Sequence, residues 1–188
     1  MAALVNIPIG VLVARVRVRY SFPGKRLLDA IIDLPFALPT AVAGLVHSSV
    51  YLQKGWLGQY LVPLGIHGAY SRLAIVLVLV FFGLPFFVRT VQPVLADLEA
   101  EIEKAAACLG PSRLQTFWRV RLPTLLPATV TGFALAFARG IGENGSVVFV
   151  SGSMPFRTEI APVLVVAALE SFTYADAAAI AVVMLLMS

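Results

Sequence analysis

Residues 101–123 read EIEKAAACLGPSRLQTFWRVRLP, the longest strongly polar stretch of the chain, and they lie between two apolar runs of membrane-spanning length. Charges so dense are costly inside lipid, so this segment constrains everything around it: two spans must meet outside the bilayer. Asp97, Glu99, Glu101 and Glu103 gather near the start of a run of helix formers, where the helix dipole favours anions. Gly110 and Pro111 end that run, Ser112 is placed to cap a second helix over 113–120, and Pro123 opens the next span. The spacing predicts a helix–turn–helix standing out of the membrane. Its small face, Ala105, Ala106 and Ala107, lets another surface approach closely; the plainer alternative is that this face packs on the chain's own bundle.

The rest of the composition agrees. Of 188 residues, 60% are hydrophobic and only 13% charged, against about 25% charged in soluble domains. An all-α, polytopic membrane bundle is expected. The single Cys108 excludes a disulfide framework, and a small apolar helix residue is the plain reading of it. The net charge of +4 does not point to nucleic acid, because the basic residues flank the apolar runs as membrane topology requires.

Along the chain, residues 1–14 read as the end of a membrane helix, too short to cross a bilayer alone. Arg15, Arg17, Arg19, Lys25 and Arg26 follow, with a turn at Pro23-Gly24. Residues 27–33 predict a short interfacial helix with Asp29 and Asp33 on one face. Spans are expected over 34–53, over 73–88 with breaks at Gly83 and Pro85, and over 122–138. A loop is expected at 54–71, a Gly/Ser-rich connection at 140–155, a short apolar helix at 160–169 and a last span from Ala175. The chain stops at Ser188 within an apolar run, so a piece of a longer protein is expected. The two basic segments, 15–26 and 89–121, carry five Lys or Arg each, while Lys54, Arg72 and Arg157 fall opposite. Two spans separate the basic segments, so both face the cytoplasm or its equivalent.

The polar segment resembles the EAA loop of ABC-importer permeases: Glu-Ala-Ala, three residues, Gly, nine residues, Ile-x-Leu-Pro. Ala105, Ala106, Gly110, Val120, Leu122 and Pro123 fall on that pattern. Lys104 stands at the usual Glu position, with Glu103 one residue earlier. Beyond the loop, RYSFPGKRLLDAIIDLPFALPTAVAGL, GLPFFVRTVQPVL, LPATVTGFALAFARGIGENGSVVFVSG and ALESFTYADAAAIA resemble the T-type permeases of sulfate/thiosulfate importers, with molybdate permeases as close cousins. The resemblance implies one transmembrane domain over 1–188, part of a six-span protein. Within it, 89–123 would form a cytoplasmic coupling segment, with Glu103, Lys104, Ala105, Ala106, Gly110, Val120, Leu122 and Pro123 as the ATPase-coupling residues. It also implies a permease without catalysis or a cofactor of its own. ATP and Mg would be bound by a partner ATPase dimer. The other partners implied are a second homologous permease, an external sulfate-binding protein, the sulfate anion and membrane lipid, with no nucleic acid. A bacterial inner membrane follows, or a plastid inner envelope. These 188 residues carry no Gly-rich Lys-Ser/Thr loop for nucleotide.

Arg139 and Glu143, four apart at the far end of the 122–138 span, can pair on one helical face. Two readings stand: a structural ion pair, or part of an anion pathway or gate together with Gly142 and Gly145. Arg89 reads as a snorkelling residue at a span end. His47 and His67 lack metal-ligand spacing. His47 beside Ser48 and Ser49 is the one hint of an intramembrane hydrolase, a rival reading along with a membrane scaffold.

Overall fold

In the computed structural model the described residues are 1–66, 68–109, 117–151 and 158–187, with the side chains of 99–109 and 117 outside the description. Every regular element among them is helical. In order these are α1 (Ala2–Arg19), α2 (Lys25–Ala37), α3 (Thr40–Tyr51), a short α4 (Gly58–Leu61) with a 3-10 turn (Val62–Leu64), and α5 (Arg72–Leu109). A π turn (Phe117–Arg121), α6 (Leu122–Ile141), α7 (Gly145–Ser151), α8 (Ala161–Glu170) and α9 (Tyr174–Met187) follow. By length and composition, Arg72–Leu98 and Trp118–Ile141 can each cross a membrane, and α2 with α3 makes a third span if the bent pair is counted as one. Large apolar side chains such as Leu27, Leu126, Val130, Leu185 and Leu186 stand exposed, the inverse of a soluble surface and the arrangement lipid favours.

Several elements depart from the sequence-based expectation. Helix α1 runs on past Ala14 through all three arginines to Arg19. The single span expected over 34–53 is two helices bent by 117°. Proline restricts the residue before it to extended conformations, and Leu38 ahead of Pro39 sits at φ −86°, ψ 132°. Pro35, by contrast, lies buried inside α2. The breaks expected at Gly83 and Pro85 are absent, because α5 is one helix of 38 residues that carries Pro85 and Pro93. The span and the first arm of the polar segment are therefore continuous. The Gly/Ser-rich connection contains a helix, α7, over Gly145–Ser151.

Two apolar clusters hold the bundle. Ala14 of α1, Ile32 of α2 and Phe87, Val88, Val91 and Leu95 of α5 form the first, with Leu125 and Ala128 of α6 against it. Phe87 fills a notch at Gly10, where a Cβ would lie 2.2 Å from its ring. Such small-residue contacts suit membrane helices, whose association depends on close packing more than on expulsion of water. The second cluster joins Ala43 of α3, Ala74, Val78 and Phe82 of α5, and Val147 and Val150 of α7.

Candidate functional site: the α6–α7 joint

Helix α6 brings Arg139 into its last turn, and the N–H of Gly142 closes the helix on the carbonyl of Ala138 at 3.1 Å. The chain then turns, and the side chain of Glu143 folds back. Its Oε2 lies 2.5 Å from Arg139 Nη2. Its Oε1 accepts the Ser146 N–H at 3.1 Å and the Ser146 hydroxyl at 2.7 Å. One carboxylate thus completes an ion pair to α6 and caps the first turn of α7. Its side chain is 1% exposed and that of Arg139 26%. The guanidinium carbon stands 5.2 Å from the centroid of Phe82 on α5, near enough for the ring face to attract the cation. A buried carboxylate persists only with such company: lone ions are driven out of low-dielectric surroundings, and charge-assisted hydrogen bonds offset that cost.

Helix α3 walls the joint at van der Waals limits. A Cβ on Gly44 would sit 2.5 Å from the Ser146 carbonyl oxygen and 2.7 Å from its Cα. A Cβ on Gly145 would sit 2.1 Å from Thr40 Oγ1. Ser48 Oγ donates to the Phe149 carbonyl at 2.9 Å. Two short helices therefore cross backbone to backbone where neither is long enough to span. A cavity of about 250 Å³, lined by Glu143 and by apolar neighbours including Leu79, Gly140 and Val147, adjoins the joint.

All four residues expected at a pathway or gate fall at this joint: Arg139 and Glu143 paired, Gly142 ending α6 and Gly145 starting α7. Ser146, Phe82, Thr40 and Gly44 belong to the same site and were not foreseen. The Glu-x-x-Ser spacing over 143–146 is the one signal in the sequence that pointed to Ser146. Of the expected coupling residues, Glu103, Lys104, Ala105 and Ala106 lie in the last turns of α5, with side chains outside the described residues. Gly110 and most of the second helix expected over 113–120 also lie outside them. Val120 is in the π turn, and Leu122 and Pro123 open α6, all exposed.

Arg89 does more than snorkel: its Nε donates to Asp33 Oδ1 at 3.2 Å and its Nη2 to Oδ2. Asp29, one turn earlier on α2, approaches Arg17 Nε of α1 at 2.6 Å, a charge contact whose angles fall outside hydrogen-bond geometry. The two aspartates thus tie α2 to both neighbours. His47 Nδ1 is 2.8 Å from the Ala43 carbonyl, and the Ser48 and Ser49 hydroxyls each go to main-chain carbonyls. That arrangement couples none of these serines to the histidine.

The family of binding-protein-dependent transport system inner membrane components matches residues 6–188. The chain belongs to that family. It is 54% identical over 188 residues to a probable sulfate transport system permease protein of Nephroselmis olivacea, covering all of this chain and 66% of that protein. It is 54% identical over 187 residues to the sulfate transport system permease protein CysT of Synechococcus elongatus, covering 67% of it. The Salmonella typhimurium protein of the same name is 46% identical over 185 residues, 98% of this chain. The chain spans about two thirds of the length of these curated relatives. As a transport-system membrane component it is an integral membrane protein, and membership in this family agrees with the all-helical fold and the apolar helices.

Proposed function

We propose that this chain is the pathway-forming permease subunit of an ATP-driven sulfate importer. The observation that carries the reading is its identity of 45–54%, across the whole chain, to relatives named as sulfate permeases. Residues 1–188 are read as one transmembrane domain. Arg139, Gly142, Glu143 and Gly145 line or gate the pathway. A dianion crossing a low-dielectric barrier needs positive charge and polar donors at depth, and the α6–α7 joint holds both.

The motor is assigned to partners. Residues 89–123 form the coupling segment, with Glu103, Lys104, Ala105, Ala106, Gly110, Val120, Leu122 and Pro123 meeting an ATPase dimer that binds ATP and Mg. A second homologous permease and an external sulfate-binding protein complete the assembly, in a bacterial inner membrane or a plastid inner envelope. Continuity of α5 from Arg72 to Leu109 supports this arrangement, since a rigid helix transmits force from one end to the other.

The test is sulfate uptake in an importer-deficient bacterium carrying the full-length version of this chain with its partner subunits. Wild-type uptake, and none from an equally expressed Gly110→Trp variant, is the expected result. Molybdate accumulation without sulfate uptake would overturn the substrate and leave the mechanism. Full uptake by Gly110→Trp would overturn the coupling segment.

A further inference from the structure

We infer that the Glu143 carboxylate is a tethered stand-in for the transported anion: it occupies an oxyanion cradle in this state and must leave before an oxyanion can take its place. The inference rests on the reading of Arg139 as part of the pathway. The donors around the carboxylate are one guanidinium, one main-chain N–H and one hydroxyl, from Arg139 and Ser146. That set would serve a tetrahedral oxyanion equally well, because a carboxylate and a sulfate offer the same charged oxygen acceptors at the same hydrogen-bond distances.

Three further features point the same way. The carboxylate is fully buried while Arg139 is a quarter exposed, so the anion is the enclosed partner of the pair. The cavity lined by Glu143 and otherwise by apolar side chains such as Leu79 and Val147 leaves room into which that side chain can withdraw. The tether is short, since Glu143 follows the end of α6 and precedes α7, and small movements of those two helix ends would withdraw it. A cradle already holding its own anion binds a free one weakly. Release is then built into the resting arrangement, as a pathway site requires, and uncoupled leakage is suppressed by the same contact.

The experiment is a thermal-denaturation comparison of the assembled membrane complex, free of the external binding protein. Sodium sulfate is compared with sodium chloride at matched ionic strength. Wild type should show no sulfate-specific shift. Glu143→Gln, which removes the competing charge, should melt lower in chloride and recover by about 2–4 °C at saturating sulfate. The double variant Arg139→Gln/Glu143→Gln should show no recovery. If Glu143→Gln does not assemble, Glu143→Asp, which retracts the charge, should give a smaller recovery in the same direction.

An assembled Glu143→Gln complex indifferent to sulfate, thiosulfate and molybdate would overturn the inference while leaving sulfate uptake by wild type intact. Recovery in the double variant equal to that in the single would also overturn it, by placing the anion elsewhere. A response to molybdate alone would keep the cradle and count against the proposed substrate.

Discussion

At the residue scale, glycines that differ only in what surrounds them tolerate an added methyl group very differently. Gly44 faces main-chain atoms of Ser146 that cannot step aside, whereas the nearest neighbour of a Cβ on Gly140 is Leu79 Cδ2 at 3.9 Å. Gly44→Ala is expected to destabilise the protein by about 1–3 kcal/mol through overpacking. Gly140→Ala, inside α6, is expected to be neutral or slightly stabilising, because alanine is the better helix former. Melting temperatures of the two purified variants decide this; equal values would show that the α3–α7 crossing is looser than described. Asn6 gives a second case. It is 1% exposed, packs where a Cβ on Gly83 would meet its Nδ2 at 2.4 Å, and neither polar atom of its amide has a hydrogen-bond partner among the described residues. Removing an unsatisfied buried amide relieves its desolvation cost. Asn6→Leu should therefore be at least as stable as wild type, and a clear loss of stability would mean that the amide is satisfied after all. None of these environments could be read from the sequence, since a glycine's letter does not say whose backbone lies against it. The Arg139–Glu143 pair was legible from its spacing, although α6 ends at Ile141 and Glu143 reaches the arginine by folding back rather than from the same helical face; Ser146 and Phe82 reach it through folding.

At the scale of elements, α2 depends on two ion pairs of different depth. Arg17 is 8% exposed in its contact with Asp29, whereas Arg89 is 55% exposed in its contact with Asp33. Exposed pairs contribute about 0–1 kcal/mol, while stranding a buried cation costs several times more, about 3–5 kcal/mol. Asp29→Asn should thus destabilise more than Asp33→Asn, and the order of the two melting temperatures is the check. The sequence showed the two aspartates on one face but not their partners, which come from the preceding helix α1 and from α5, 56 residues along the chain. Helix α7 was missed for a related reason: Gly145, Ser146, Val147, Val148 and Val150 have poor intrinsic helix propensity, and it is packing against Ala43, Val78 and Phe82 that holds them helical. The break at Pro39 was not foreseen: its 117° bend makes two elements where the apolar run alone suggested one span.

At the scale of the molecule, α5 sets the dimensions. Its 38 residues make a rod of about 57 Å, against a hydrocarbon core of about 30 Å. The far end must therefore project well beyond the lipid. The native Pro93 already frees one carbonyl of this rod without breaking it, and a second proline one turn further on should sever the mechanical link while leaving the apolar segment able to insert. Asp97→Pro is expected to assemble in the membrane and to lose nearly all sulfate uptake in the reconstituted importer. Retained uptake would show that force does not travel along this helix. The sequence expected breaks in this rod at Gly83 and Pro85, because both residues disfavour isolated helices. Within the bundle Pro85 is buried and Gly83 packs on Asn6 and Ala136, so neighbouring helices enforce the geometry that local preference opposes.

The two oxygens of Glu143 are committed to different helices, Oε2 to Arg139 of α6 and Oε1 to Ser146 of α7. Electrostatics and local folding are therefore a single variable at this joint. Anything that draws the carboxylate away from the arginine also uncaps α7, and α7 cannot shift without disturbing α3, whose Gly44 touches its backbone. A change of charge at one atom is converted, with no intervening part, into a change in the shape of the wall.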